Sequence, residues 1–338
     1  MLKQNNNSIS LPAWTSNVSL QYRNKMYIAS RVFPFLDNVP AHGAKILSYD
    51  RGPYFSLVAG GILKGDRTAA KRITASINTV DISTKPYAVA TEITANDKRI
   101  ATAMGSNLIN LVTDATEFAT DVFDRHFEKD VADVITAATW IDGVSGGEDA
   151  AGLWSPNDAT NTFITDILTG IKTIHKAVGV RPNRLIMDYD TYSALSENTA
   201  LLARIGGVYT ATLDKPTLVT ATGIAALFGL DECIIAEAIY STAQQKADGT
   251  DFTAKYIWDT ANSKGMGFLY YAPNSPSLKQ VSAGYICRSP FAGSGLLREL
   301  RTWNEPAANI DVIEVSQEHD IKIATANAGY LWKDTHTT

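Results

Sequence analysis

The chain has 338 residues, 45% hydrophobic and 19% charged, which is the composition of a globular protein with one large core or two medium ones and excludes a disordered polymer. Its formal net charge of −5 argues against wholesale nucleic-acid binding, and its two distant cysteines, Cys233 and Cys287, lack the spacing of a disulfide framework or a zinc site. No run reaches the ~18 apolar residues of a membrane span and the polar opening MLKQNNNSIS is no secretory leader, so a protein of a reducing cytoplasm is expected.

Residues 1–20 are rich in Asn and Ser, with Leu11, Trp14, Val18 and Leu20 spaced too sparsely to fold alone and too apolar for a free tail. They read as an arm that docks on something. RVFPFLDNV and AKILSYDRG follow as strand-like pieces bounded by Pro34, Pro40, Gly43 and Gly52. From Arg51 to Arg72 periodicity is lost while glycine and basic residues accumulate. Arg51, Lys64, Arg67, Lys71 and Arg72 against Asp66 give a net +4 on an expected long hairpin or loop. ITASINTVDISTKPYAVATEIT then alternates β-branched and small residues, a pattern that predicts strand up to the next element.

That element is the longest periodic stretch in the chain, Ser106 to Thr139. Apolar residues recur three or four positions apart, at Leu108, Leu111, Val112, Ala115, Phe118, Ala119, Val122, Phe123, Phe127, Val131, Val134, Ile135 and Ala138, so one face of a single long helix is expected to meet a core. Ser106 is its expected N-cap and Gly143 the first residue beyond it suited to a left-handed turn. At 1.5 Å per residue the helix would be roughly 50 Å long, a spine rather than a local element. Asp114, Glu117, Asp121, Asp124, Glu128, Asp130 and Asp133 face only Arg125 and Lys129, a net −5. Either something basic lies against this face or it is an ordinary solvated one.

Residues 143–161 read as a Gly/Asp/Ser-rich linker, after which helix and strand patterns alternate. Phe163 to Val178 is a helix closed by Gly179, RPNRLIM a buried strand, DYDTYSALSENTALLARIG one broken or two short helices, TGIAALFGL a helix and DECIIAEAIY a strand. This is an α/β or α+β region large enough for a second core. From Gly267 on, strands dominate: GFLYYAP, AGYICRSP, GLLRELRTW, NIDVIEVS and DIKIATANAGYLW, the last two predicted to form a hairpin around Gln317 to Asp320.

Three fragments imitate catalytic signatures. Gly143-Val-Ser145-Gly-Gly147 fits GxSxG, but it follows a helix and enters a linker, whereas a nucleophile elbow needs a strand before and a helix after. Asp188 and Asp190 in LIMDYDTY resemble the DxD loop of haloacid-dehalogenase-like phosphotransferases, where paired carboxylates bind Mg²⁺ and attack phosphate. The fifth position is Tyr192 instead of Thr or Val, and a helix cap is the simpler role for either Asp. Gly60-Gly61 with Lys64 and Gly65 lacks the order of a phosphate loop. The five histidines stand singly, and the aromatics of the C-terminal strands are not interleaved with a basic run, so they read as core or interface.

The order of these parts resembles the major capsid protein of a tailed bacteriophage with the HK97-type fold. The resemblance rests on the arm, the strand and basic loop, the acidic spine ending RHFEKDVADVI, the run GVRPNRLIMDYDTYSALSENTALLARI, then TGIAALFGLDECIIAEAIY and the closing AGYLW. It implies an α+β fold with an N-terminal arm (1–25), peripheral-domain strands (26–49), an extended loop (50–80), a peripheral domain holding the spine (81–160), an α/β axial domain (161–265) and C-terminal strands shared between the two (266–338). It further implies a homo-oligomer of pentamers and hexamers in an icosahedral shell enclosing viral DNA, with no catalytic, cofactor-binding or metal residues. The expected partners are a separate scaffolding protein, a portal, a possible decoration protein and packaged DNA held non-specifically, without a membrane; the expected location is the virion after assembly in the host bacterial cytoplasm. In such a shell the loop of one subunit crosses the peripheral domain of its neighbour. Leu11, Trp14, Lys64, Arg67, Lys71, Arg72, Asp114, Glu117, Asp121, Asp124 and Glu128 are therefore the expected inter-subunit contacts. The alternatives are an encapsulin-like nanocompartment shell and, from a different class, a Mg²⁺-dependent phosphohydrolase using Asp188 and Asp190.

Overall fold

A computed structural model describes residues 24, 26–40, 42–49, 51–59, 61–104, 111–150, 154–155, 160–208, 219–243, 252–260, 264–277, 280–292 and 294–336. In chain order the elements are α1 (Ala29–Val32), β1 (Phe35–Leu36), β2 (His42–Tyr49), α2 (Arg51–Phe55), β3 (Ile77–Ser83), β4 (Lys85–Thr94), α3 (Ala95–Met104), α4 (Leu111–Ala137) and β5 (Glu148–Asp149). They continue with α5 (Phe163–Val178), β6 (Arg184–Asp188), α6 (Tyr189–Ser196), α7 (Thr199–Val208), α8 (Ala221–Phe228), β7 (Glu232–Ala236), β8 (Ile239–Ser241) and β9 (Ala254–Tyr256). The chain closes with β10 (Met266–Tyr270), β11 (Gly284–Ser289), β12 (Arg298–Glu305), β13 (Ile310–Ile323) and β14 (Gly329–Lys333).

Among the described residues the strands form two five-stranded sheets and two two-stranded ribbons. In the first sheet β13 is central. Its first part pairs antiparallel with β12 and its second with β11, while β4 runs along its other edge from Lys85 to Thr94. The spine, α4, lies on one face of this sheet, where Ala119, Phe123 and Val315 form a buried cluster with Val89 and Phe127. The second sheet has the order β5-β14-β10-β6-β7 and is covered by α5, α6 and α8, with α7 packed on α8. Its strands come from both ends of the region after the linker, because β10 pairs with β14 on one side and β6 on the other. Gly267 sits at a tight spot: a Cβ there would collide with the indole of Trp154, itself 0% exposed. β2 and β3 form a two-stranded limb leading out to residues 51–76.

Two elements differ from the sequence-based expectation. β13 runs unbroken from Ile310 to Ile323, so no hairpin exists around Gln317 to Asp320. The reversal comes earlier, between β12 and β13, where Pro306 ends the strand and Asn309 takes a left-handed φ of 53°. Polar Gln317 and His319 are both buried in β13, which disguised the continuing strand. The strand pattern also stops at Thr94 and a helix follows, α3, whose start is a reciprocal cap. The Asp97 amide donates to Thr94 Oγ1 at 3.2 Å and the Thr94 amide to Asp97 Oδ2 at 3.1 Å. The described part of the spine ends at Ala137, and Gly143 makes the left-handed turn (φ 75°) beyond it; the proposed cap Ser106 lies outside the described residues. Its 27 residues span about 40 Å.

One carboxylate ties the spine to two other parts of the chain. Glu128, 0% exposed, accepts from the backbone amides of Ile28 (3.0 Å) and Ala29 (2.7 Å) at the start of α1, and from the indole nitrogen of Trp258 after β9. Burial raises its pKa, and the three donors pull it back down. Glu128→Ala would orphan three buried donors, each costing about 1–3 kcal/mol. Glu128→Gln is expected to cost less, because an amide oxygen in the Oε1 position keeps the Ile28 and Trp258 bonds and only Ala29 loses its acceptor. Chemical denaturation should therefore rank wild type above Gln above Ala; an Ala variant as stable as wild type would show that the tie contributes nothing.

Candidate assembly surfaces

Among the described residues, the four most exposed large hydrophobic side chains are on the limb. Every described residue from Arg51 to Thr79 except Val58 is exposed, with Leu57 at 96%, Leu63 at 93%, Ile62 at 85% and Ile73 at 74%. Single exposed hydrophobics are ordinary, but a segment that gathers several of them marks a contact surface. Lys64, Arg67, Lys71 and Arg72 are on this same segment. Lys71 Nζ donates to the Ala59 carbonyl at 2.7 Å, and Arg67 holds a turn at φ 61°. At the root of the limb, Arg51 donates to the Ala177 carbonyl at the end of α5 (3.3 Å), where a cation complements the helix dipole. Phe55 lies over Gly179 there.

The five acidic spine positions separate into two groups. Asp114 and Glu117 are exposed near the N-terminal end, close to the exposed apolar side chains of Val112 and Phe118. Asp121, Asp124 and Glu128 are engaged within their own chain. Asp121 is buried, pairs with Arg125 one turn on and accepts from the Tyr27 hydroxyl at 3.0 Å. Asp124 pairs with Arg298 of β12 at 2.5 Å, whose guanidinium also covers the Phe123 ring. Glu128 is the buried tie already described. The expected arm contacts, Leu11 and Trp14, lie outside the described residues.

A second acidic surface escaped the sequence reading because it exists only through strand register. Side chains alternate across a sheet, so the residues flanking Val315 and Val89, which face the spine, point to the opposite face. These are Glu314 and Glu318 on β13, Glu92 on β4 and Glu299 on β12, with Arg301 among them. Arg301 pairs with Glu299 at 2.7 Å, and these carboxylates raise its pKa further. Among the described residues no helix packs on this face. Ala88 and Ala90 lie exposed beside the carboxylates and leave the backbone approachable.

The catalytic look-alikes resolve into structure. Asp188, 2% exposed, is the N-cap of α6: Oδ2 accepts from the Thr191 amide at 3.0 Å and Oδ1 from the Met266 amide at 2.9 Å. Burial raises its pKa against those bonds. Asp190 is half-exposed, with His336 Nε2 at 3.9 Å. Together Asp188, Asp190 and His336 lie close enough to share an ion, but both Asp188 oxygens already serve as acceptors. Ser145 of the GxSxG stretch is exposed and directed at the Ala137 carbonyl (3.4 Å), with no base beside it among the contacts of the described residues.

No known family profile matches the sequence, and no curated protein matches it. Solved structures do. The chain is similar to a phage-related protein from Bordetella bronchiseptica RB50, with 19% identity, a TM-score of 0.61 and 94% of each chain covered. It is similar to a chain of the mature capsid of bacteriophage PhiM1, with 10% identity, a TM-score of 0.60, and 94% of this chain and 89% of that one covered. The holo-SrpI encapsulin complex from Synechococcus elongatus PCC 7942 matches at 11% identity and a TM-score of 0.51, covering 91% of this chain and 88% of that one. The fold is α+β and of the HK97 type.

The cap role of Asp188 gives a stability prediction. Asp188→Asn keeps one acceptor oxygen and places an amide N–H₂ against a backbone donor, so a loss of about 1–3 kcal/mol is expected. Asp190→Asn, at a half-exposed position, should change stability by less than about 0.5 kcal/mol. Denaturant titrations of both variants measure this; equal effects would contradict the cap, and Mg²⁺-dependent phosphatase activity abolished by Asp188→Asn would restore the hydrolase alternative.

Proposed function

We propose that this chain is the major capsid protein of a tailed bacteriophage, a structural subunit that assembles with copies of itself into an icosahedral shell around viral DNA. The observation that carries the proposal is the limb: a segment from Arg51 to Thr79 leaves Leu57, Ile62, Leu63 and Ile73 exposed among the described residues, a surface suited to a partner in another copy. The HK97-type fold, shared with a phage capsid chain and an encapsulin complex, supports the reading. A separate scaffolding protein, a portal and packaged DNA held by non-specific contacts are the proposed partners, and the virion the proposed location. An encapsulin-like shell is the second reading, favoured by the SrpI likeness. Electron microscopy of the expressed protein should show closed particles or capsomers, and particles formed during phage growth should contain DNA. A persistent monomer would overturn both readings; shells enclosing a protein cargo and no nucleic acid would select the second.

The loop's basic side chains need acidic partners on the neighbouring copy. The spine supports this at Asp114 and Glu117 only, since Asp121, Asp124 and Glu128 are already held in their own chain. The sheet face, at Glu92, Glu314 and Glu318, is the better match for Lys64, Arg67, Lys71 and Arg72, Glu299 there being already paired with Arg301. Each exposed pair contributes about 0–1 kcal/mol, so the effect on a single subunit is small and the effect on a repeated lattice adds up. Arg67→Glu with Arg72→Glu should leave the subunit's Tm nearly unchanged and lower shell yield, most at low salt, where the Debye length is longest. Restoring yield with Glu92→Lys and Glu314→Lys would place the pairing on the sheet face; normal yield of the double reversal at low ionic strength would show that the loop's charge faces solvent or DNA.

A further inference from the structure

His319 lies on β13 beneath the spine, 2% exposed, with no hydrogen-bond partner on either ring nitrogen among the described residues. Its ring is stacked on Tyr87 of β4, with centroids 4.3 Å apart and planes 23° from parallel, and it meets Phe127 of the spine edge-on at 5.0 Å. The imidazole thus fills an aromatic slot that belongs half to the sheet and half to the helix, in the same seam where Phe123 and Ala119 bury themselves against Val315. A neutral ring loses one donor and one acceptor interaction there. A protonated ring would bring a full charge and two unmet donors into the slot, a much larger desolvation cost. The face of Tyr87 attracts a cation but gives none of the hydrogen bonds that water gives it.

We propose that His319 is an acid-sensitive clasp between the spine helix and its sheet: the neutral ring holds the seam shut, and the protonated ring is driven out of the slot and lets the spine loosen from β13 and β4. The charged groups around it do not offset the cost. On its own strand Asp320 favours the cation, yet that carboxylate is paired with Lys322 at 3.3 Å and accepts from the Ser83 amide at 2.8 Å. Arg298 of β12 opposes the cation and is tied to Asp124 of the spine. The cross-strand partners of His319 are Lys85 on β4 and Arg288 on β11, both basic, the latter paired with Asp37. On the spine, Asp130 acts on Tyr87 and is itself half-buried beside His126 and Lys129. Burial lowers the His319 pKa from 6.5 to about 4. Between those values the unfolded chain holds a proton that the native state rejects, so the group's contribution is complete above pH 6.5 and is lost as pH falls toward 4.

The test compares the full chain with His319→Phe, which keeps an aromatic ring in the slot and cannot titrate. Between pH 7 and pH 5 the folding equilibrium constant of wild type should fall roughly twenty-fold more than that of the variant, and hydrogen exchange within 111–137 and 310–323, corrected for intrinsic rates, should accelerate in wild type alone. The ring resonances of His319 in the folded wild type should titrate below pH 5. Equal pH dependence of the two proteins, unchanged exchange in the seam, or a His319 ring that titrates near 6.5 would each overturn the proposal. Should the Phe variant fail to fold, ring titration and seam exchange of the wild type decide the matter.

Discussion

Three donors converging on Glu128 fix the geometry on which the other contacts rest. The residue lies in the middle of α4, and its partners are about a hundred residues before it, at Ile28 and Ala29, and 130 after it, at Trp258. A buried carboxylate is unfavourable unless its lone pairs are met, so the chain entering from the arm, the spine and the segment after β9 must be placed correctly together or not at all. With the spine so held, its apolar stripe lies on β4 and β13, and the Asp124 to Arg298 pair fixes β12 alongside. Among the described residues no helix covers the face of that sheet away from the spine, which is lined by carboxylates.

The subunit divides its surface between satisfied and unsatisfied parts. The second sheet is packed so closely that Trp154, Phe163, Phe268, Tyr270 and Leu331 expose nothing. The limb does the reverse, with side chains of the same types nearly fully exposed. Apolar groups buried this completely in one place, with Leu57 and Leu63 bare in another, fit the proposal that a second copy completes the surface. The spread of charge agrees: the base is on the limb, and the acid is on the sheet face and the outer end of the spine.

Much of this was legible in the chain. The spine announced itself by an uninterrupted 3.6-residue period, the limb by loss of period together with glycine and base, and Asp188 by its place between a buried strand and a helix. The Thr94 to Asp97 capping box was equally visible and was overlooked because the strand pattern before it is strong. The break assigned to Gln317 to Asp320 came from reading polar residues as a turn, when Gln317 and His319 are buried under the spine and the turn-forming Pro306 and Asn309 lie upstream. The intrachain tie made by Glu128 and the acidic sheet face could not be found from sequence. The first depends on contacts across about a hundred residues, and the second on the register of three strands, of which β4 is more than 200 residues from the other two. The helix face that carried the acidic count also misled, since charge counted along a helix does not reveal which carboxylates its own chain already holds.

The proposed assembly depends on the limb finding its partner in another copy. Hydrogen exchange of residues 51–79, measured on isolated subunits and on assembled particles under the same conditions, tests that directly. The amides from Leu57 to Ile73 should exchange at nearly unprotected rates in the subunit and slow by at least about a hundredfold on assembly. Equal exchange in both states would mean that the limb stays solvated in the particle, and that its exposed leucines and isoleucines do not join one subunit to the next.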